Sequence, residues 1–164
     1  MAFADTFLPE FDNEMKTTRS LLAIVPFENA TWKPHTKSTA LGPLASHITG
    51  LAGFGSMIAT TTERVFGQPG QPKPPQYTNS AELLSAFDAN VQKSRDALAG
   101  MSEDDLNAGW TLRNGDHVIF TLPRRVALRT MLMNHMIHHR GQLSVYLRLN
   151  DVPLPSIYGP TADT

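Results

Sequence analysis

Residues 123–149 read PRRVALRTMLMNHMIHHRGQLSVYLRL, and this stretch carries the clearest periodic pattern for predicting the fold. Apolar and histidine side chains recur along it at alternating spacings of four and three, which is the period of one helix face. Pro123 suits the first position of a helix, because the N–H group that proline lacks has no partner there. The pattern therefore predicts a helix over about 123–149 whose inward seam consists of Leu128, Leu132, His135, His139, Gln142, Tyr146 and Leu149.

The same periodicity predicts three earlier helices. The first runs from about Phe3 to Val25 and stops at Pro26. The second follows Ser38 or Thr39, either of which can cap its first turn. One stripe of this second helix carries Leu44, His47, Leu51, Phe54 and Ile58.

The third helix begins at a cap formed by Asn79 or Ser80 and stops near Gly100. Before it, residues 67–77 hold six Gly or Pro residues and form a connection long enough to cross a bundle from end to end. After it, residues 110–122 carry aromatic and β-branched residues on both sides of an Asn-Gly pair, which predicts a small β-hairpin.

A second face of the second helix carries small side chains, at Gly42, Ser46, Thr49, Gly53, Ser56 and Thr60. Such a face lets a neighbouring helix approach closely, and we favour packing within the monomer over a contact between two copies. Residues 38–62 contain no charge, but four glycines and many hydroxyl groups make the stretch too polar to span a membrane.

Together these elements predict an all-α fold in which residues 1–164 form a single domain. The domain is a four-helix bundle in up-down-down-up order, with a long crossover between helices two and three. The small β-hairpin lies between helices three and four.

The composition narrows the classes of function. The chain has 164 residues, no cysteine, and a formal net charge of -1 from 14 basic and 15 acidic residues. Without cysteine, disulfide frameworks, thiolate catalysis and thiolate-bound metals are excluded. The balanced charge argues against nucleic acid and anionic lipid as partners. The first ten residues lack the features of a signal peptide, so we expect a soluble cytoplasmic protein.

Histidine carries the strongest functional signal. His135 and His139 lie four residues apart, so both rings project from one helix face, and His47 is the only other histidine on a predicted seam. If helices two and four are antiparallel, the axial mismatch between His47 and the pair is about 5 Å, whereas parallel helices leave about 8–14 Å. These three residues form the candidate metal site, and the alternative is that each is a hydrogen-bonded core histidine.

The surrounding residues limit the metal chemistry. No Asp or Glu occurs between Asp116 and Asp151, and residue 136 is Met. The catalytic Glu of an H-E-x-x-H protease helix is therefore missing, and so are the carboxylates of a di-iron bundle. These residues allow a mononuclear three-histidine site with an open coordination position.

The other histidines and the basic residues of the fourth helix have simpler interpretations. His138 lies about 80° round the helix from the midpoint of the pair, and we assign it a contact behind the site, at the surface or between subunits. His117 and His35 are expected to face solvent. Arg140 points away from the seam and can pair with a carboxylate or a backbone carbonyl behind His139. We expect Arg124, Arg125, Arg129 and Arg148 to form a solvent-exposed face rather than an anion-binding site. Nearby acidic residues balance the positive charge of this face.

The ten residues from Asn134 to Leu143, NHMIHHRGQL, resemble a motif of the DinB family. Trp32, the run LASHI at 44–48 and the segment 146–159 extend the resemblance over essentially the whole chain. It implies a four-helix bundle, a divalent metal ion held by three histidines, and frequent homodimers. Zn and Ni suit imidazole ligands, and Fe or Mn also fit.

The ligand positions implied by the resemblance fall on His47, His135 and His139. Related members include mycothiol-dependent isomerases and bacillithiol transferases, so the first hypothesis is a metal-dependent transferase or isomerase that uses a low-molecular-weight thiol. The alternative is a non-catalytic, metal-stabilised helical bundle with a binding or stress-response role. Neither hypothesis assigns catalytic or thiol-binding residues.

Overall fold

The structure is a computed structural model that describes residues 3–164. In chain order its helices and strands are α1 (Phe3–Leu22), a 3-10 turn (Phe27–Asn29), α2 (Leu41–Leu51), α3 (Phe54–Thr60), β1 (Glu63–Phe66), α4 (Ser80–Ala99), α5 (Glu103–Asn107), β2 (Gly109–Asn114), β3 (His117–Pro123), α6 (Arg124–Ala127), a π-helical segment (Leu128–Asn134) and α7 (His135–Leu149). Helix α4 packs against α1 and α2, and α7 packs against the same two helices, around one apolar core.

The three strands form one sheet in the order β1-β2-β3. Strands β2 and β3 pair antiparallel in the segment where the sequence predicts a hairpin, with Gly115 at positive φ in the turn. The fully buried ring of Trp110 on β2 donates its indole N–H to the Thr61 hydroxyl at 3.1 Å. This contact anchors the sheet to the end of α3.

The prediction of an all-α four-helix bundle is wrong, because the fold is mixed α/β. Strand β1 pairs in parallel with β2, with Glu63 opposite Thr111 and Phe66 opposite Asn114. This strand has four residues, and its partner lies almost fifty residues further along the chain. Because nothing in so short a segment shows a period-2 pattern, local periodicity cannot reveal a strand that depends on a distant partner.

Two of the predicted helices are interrupted. The second ends as α2 at Leu51 and resumes as α3 at Phe54, and it starts after Ala40 without a side-chain cap from Ser38 or Thr39. The fourth is divided into α6, the π-helical segment and α7. At its end the seam prediction fails, since Leu149 is 56% exposed.

The other helices agree with the sequence. Helix α1 ends at Leu22, three residues before Val25, the predicted last residue of this helix. Helix α4 is capped by Asn79, whose side chain accepts a hydrogen bond from the Glu82 N–H at 2.9 Å. It ends at Ala99, directly before Gly100, as the sequence predicts.

The small side chains of α2 and α3 pack against α4 within the chain. The Ser94 hydroxyl donates to the Ala52 carbonyl at 2.6 Å and accepts from the Ser56 N–H at 3.0 Å. The Asn90 amide donates to the Thr49 carbonyl at 3.0 Å. A Cβ at Gly55 would lie only 2.8 Å from the Ser94 Cβ. The part of the small-residue face at Thr49 and Ser56 therefore packs inside the monomer, as the sequence favours.

Helix α2 runs antiparallel to the final helix. The Tyr146 hydroxyl near the end of α7 donates to the Thr39 carbonyl just before α2, at 3.2 Å. At the opposite end, Arg124 of α6 donates to the carbonyl of Ile58 in α3, at 3.0 Å. The middle of α2 therefore faces the start of α7, which is where the three candidate histidines lie. Within the part of the chain that the structure describes, no helix is long and apolar enough to cross a membrane.

Candidate metal centre

The structure brings the three predicted histidines together. One candidate ligand nitrogen from each of His47, His135 and His139 lies within 4.8 Å of the others. The ring centroids are 5.3 Å apart for His47 and His135, 4.6 Å for His47 and His139, and 4.7 Å for His135 and His139. Three imidazoles thus converge on one point between α2 and α7.

The spacing of these nitrogens suits a single metal ion. In a tetrahedral site with metal–nitrogen distances of about 2.0–2.1 Å, ligand nitrogens lie about 3.4 Å apart. Modest side-chain rotations would bring donor atoms that already lie within 4.8 Å to this separation. Among residues 3–164, this is the one group of three or more His, Asp or Glu side chains that meets so closely. The donor set is entirely imidazole.

His135 begins α7 immediately after the π-helical segment. Its imidazole forms a hydrogen bond with the backbone of Met131, which belongs to that segment. Segments of π-helix occur frequently at functional sites because their wider turns change the direction in which the following side chains project. This segment is not predictable from the apolar spacing, which is also compatible with an unbroken α-helix.

A second hydrogen bond orients His139. The Nδ1 atom of His139 lies 2.7 Å from the Oε1 atom of Gln142. Because a carboxamide oxygen only accepts, Nδ1 carries the proton and Nε2 keeps its lone pair free for a metal ion. Gln142 is a predicted seam residue, but its role was not predicted. Its position three residues after a candidate ligand is the signal that identifies it.

The electrostatic environment keeps the imidazoles neutral. Partial burial, followed by the proximity of His139 and then His135, lowers the pKa of His47 to about 4. Burial is also the main reason why the pKa values of His135 and His139 lie below their ordinary value. Neutral imidazoles present the lone pairs that a metal ion requires.

The stability of the metal-free protein is expected to fall as the pH decreases from about 6.5 toward 4. In this window the unfolded chain, whose histidines have ordinary pKa values near 6.5, binds protons that the folded triad does not bind. Melting temperatures measured at pH 7 and pH 5 with a chelator present test this expectation. The decrease should be smaller in His47→Gln, and an equal decrease in both proteins would contradict it.

The remaining histidines lie outside the triad. The ring of His138 is 4.9 Å from that of His139, but its side chain is exposed and does not join the cluster. His35 and His117 are also exposed, as predicted.

The arginines of the last helical stretch are all partnered. Arg140 is buried and forms an ion pair with Glu14 at 2.5 Å, which confirms a carboxylate partner behind His139. The expectation that acids offset the basic face is confirmed for Arg125, Arg129 and Arg148, which pair with Glu103, Glu10 and Asp163 respectively. Arg124 instead donates to the backbone carbonyls of Ile58, Asp105 and Thr61.

A polar cavity of about 520 Å³ opens beside the triad. His47 and His139 form part of its wall, together with Lys37, Ser38, Thr39, Leu44, Gln142 and Tyr146. The position of Lys37 near the site was not predicted, because this residue lies in the irregular segment before α2. The cavity gives molecules from solvent access to two of the three imidazoles.

Comparison with known proteins identifies the family of this chain. The model of the DinB family matches residues 1–163. The uncharacterized protein YrdA of Bacillus subtilis is 27% identical, over 97% of this chain and 90% of its own length.

Two crystal structures show the same fold. A DinB-like protein of Bacillus subtilis, YjoA, has 19% identity and a TM-score of 0.67, over 92% of this chain and 96% of its own. A DinB-like protein of Bacillus cereus has 21% identity and a TM-score of 0.68, over 93% of this chain and 95% of its own. Given a family match that spans nearly every residue, this chain belongs to the DinB family.

Proposed function

We propose that this protein binds one divalent metal ion through His47, His135 and His139, and that it is a metal-dependent transferase or isomerase acting on a low-molecular-weight thiol. The observation that carries the proposal is the convergence of three neutral imidazoles within 4.8 Å of one another beside an open cavity. Zn and Ni suit this donor set, and Fe or Mn also fit.

The residues around the triad support a catalytic rather than a closed structural site. A structural metal site usually has four protein ligands, whereas a catalytic site has three and leaves a position for substrate. A bound divalent ion would lower the pKa of a thiol that coordinates it and so supply a thiolate near neutral pH. The chain has no cysteine, so the thiol must come from a second molecule.

The polar cavity is suited to the thiol molecule. Lys37 provides a positive charge, and Ser38 and Thr39 provide hydroxyl groups that can donate and accept hydrogen bonds. Low-molecular-weight thiols carry carboxylate, amide and hydroxyl groups that such a wall can bind. Gln142 keeps the His139 ring oriented while a ligand enters.

Thiol-dependent turnover by the metal-loaded protein tests the proposal. Bacillithiol, mycothiol and glutathione are each supplied with a small electrophile, and loss of the free thiol is measured. We expect turnover with at least one thiol, and none above background in the His47→Ala, His135→Ala, His139→Ala triple variant, whose folding is checked by circular dichroism. Equal rates in the two proteins with every thiol would contradict the catalytic proposal and leave the alternative, a non-catalytic protein that the metal ion stabilises.

Three further expectations stay predictions: a homodimer, a cytoplasmic location, and a single domain over residues 1–164. For the homodimer, the observation in favour is that Val145 and Leu149 lie one turn apart on α7 and are each 56% exposed.

A further inference from the structure

A second cavity, of about 440 Å³, also reaches the triad. His47 belongs to the wall of both cavities, with Leu44 beside it in the polar cavity and Ser46 and Gly50 beside it in the second. The two cavities, which differ in chemistry, therefore share His47. Cavities of about 300–1,000 Å³ are the size that small-molecule ligands occupy.

The second cavity is mainly apolar. Leu51, Phe54 and Met57 of α2 and α3 contribute to its wall, and the proline-rich connection contributes Pro72, Pro74 and Pro75. The hydroxyl of Ser46, a polar group beside His47, already accepts a hydrogen bond from the Tyr77 N–H at 3.1 Å. This wall suits the apolar body of a ligand.

Two positive charges also line this cavity, at Arg64 and Lys73. Of the nine arginines in the chain, seven form ion pairs and Arg124 is bound by backbone carbonyls. Within residues 3–164 no such ion pair involves Arg64 or Lys73, and no Asp or Glu is among the described residues that line the cavity. Two cations beside an apolar wall, without a carboxylate to neutralise them, are complementary to an anion with an apolar body.

We propose that this cavity binds an apolar carboxylate, with the carboxylate on Arg64 and Lys73 and the apolar body against Phe54, Met57 and the prolines. The guanidinium of Arg64 has the planar geometry that a carboxylate requires. Because the cavity shares His47 with the polar one, the bound molecule lies next to the triad. The assignment of this molecule as the substrate that reacts with the thiol rests on the proposed function. Its binding in the cavity does not depend on that function.

Gly50 offers a way to block the cavity without disturbing the fold. It lies in the last turn of α2, lines the cavity, and a Cβ built there meets no atom within 4 Å. Leucine at this position therefore fills part of the cavity, and leucine also favours the helix more than glycine does. Gly141 of α7 is the matched control, since it is equally unobstructed and is not part of the wall.

The test measures binding of 2-naphthoate by isothermal titration calorimetry to the metal-stripped protein. We expect saturable binding with one molecule per chain, at least tenfold weaker binding of the neutral 2-naphthamide, and a dissociation constant about tenfold higher in Arg64→Gln and in Lys73→Gln. Gly50→Leu should lose binding, and Gly141→Leu should keep it. Lys93→Gln, which changes an exposed lysine of α4, should bind as the wild type does.

Several results would overturn the inference. These are no saturable binding of 2-naphthoate at millimolar concentration, equal binding of the amide, or unchanged binding in Gly50→Leu or in the Arg64→Gln, Lys73→Gln double variant. The His135→Ala variant separates the two proposals, because His135 does not line this cavity. In His135→Ala we expect 2-naphthoate binding to persist while thiol-dependent turnover is lost. In the wild type, 2-naphthoate binding without any thiol-dependent turnover would contradict the proposed function alone.

Discussion

Alanine in place of Arg140 is expected to lower the free energy of unfolding by about 3–5 kcal/mol. Arg140 is 1% exposed, and its ion-pair partner Glu14 is 6% exposed. Removing the guanidinium leaves a buried carboxylate without its cation. The free energy that this unpaired charge costs is larger than the net stabilisation that the ion pair provides. Equilibrium urea unfolding measures the change, with the slope compared between variants to confirm that the same transition is observed.

The contacts around Arg140 explain why the effect should be large. Arg140 also donates to the Glu14 carbonyl at 3.2 Å and to the Tyr158 hydroxyl at 2.5 Å. The Tyr158 hydroxyl in turn donates to the Glu14 carboxylate at 2.9 Å. This network ties α1, α7 and the segment after α7 together, so one substitution affects three parts of the chain.

Two controls make the result specific to the buried network. Arg95→Ala removes an exposed ion pair with Asp12 and should change stability only slightly. Replacing both buried partners, as Glu14→Leu with Arg140→Met, should cost less than Arg140→Ala alone, because no charge is left without a partner. The account of the network is contradicted if Arg140→Ala is no more destabilising than Arg95→Ala.

Removing the metal ion is expected to lower the melting temperature by about 8–16 °C. A ligand that binds only the native state at about 1,000 times its dissociation constant contributes about 4 kcal/mol, and each kcal/mol corresponds to about 2–4 °C in a domain of this size. Differential scanning calorimetry with excess zinc or nickel, and again with a chelator, measures the shift.

The control for this shift is the triple histidine-to-alanine variant. Its melting temperature should be the same with metal and with chelator, since the triad is the site to which binding is assigned. A shift in the triple variant as large as that in the wild type would place the metal elsewhere on the chain.

The sequence predicted the candidate site better than the fold. The spacing of His135 and His139 alone places them on one helix face. The proximity of His47 to this pair follows from an antiparallel arrangement of the second and final helices, which the structure contains. A seam position depends on local periodicity, which the sequence displays directly. The same is true of the Asn79 cap, because a capping side chain binds only three residues ahead.

Features that depend on distant partners were not predictable in this way. Strand β1 forms only because β2 accepts it in parallel register. Glu14 lies 126 residues from Arg140, and the sequence indicates only that Arg140 needs some acceptor behind the seam. Lys37 and Arg64 reach the two cavities through irregular or short segments, where no periodicity places them.

The metal content per chain, measured by elemental analysis after equilibration with zinc or nickel and removal of free ions, tests the central claim most directly. We expect close to one ion per wild-type chain and almost none in each of His47→Ala, His135→Ala and His139→Ala, with unchanged content in His138→Ala. This expectation would be contradicted by a wild-type protein that retains no divalent ion of any kind, or by single variants that retain as much metal as the wild type.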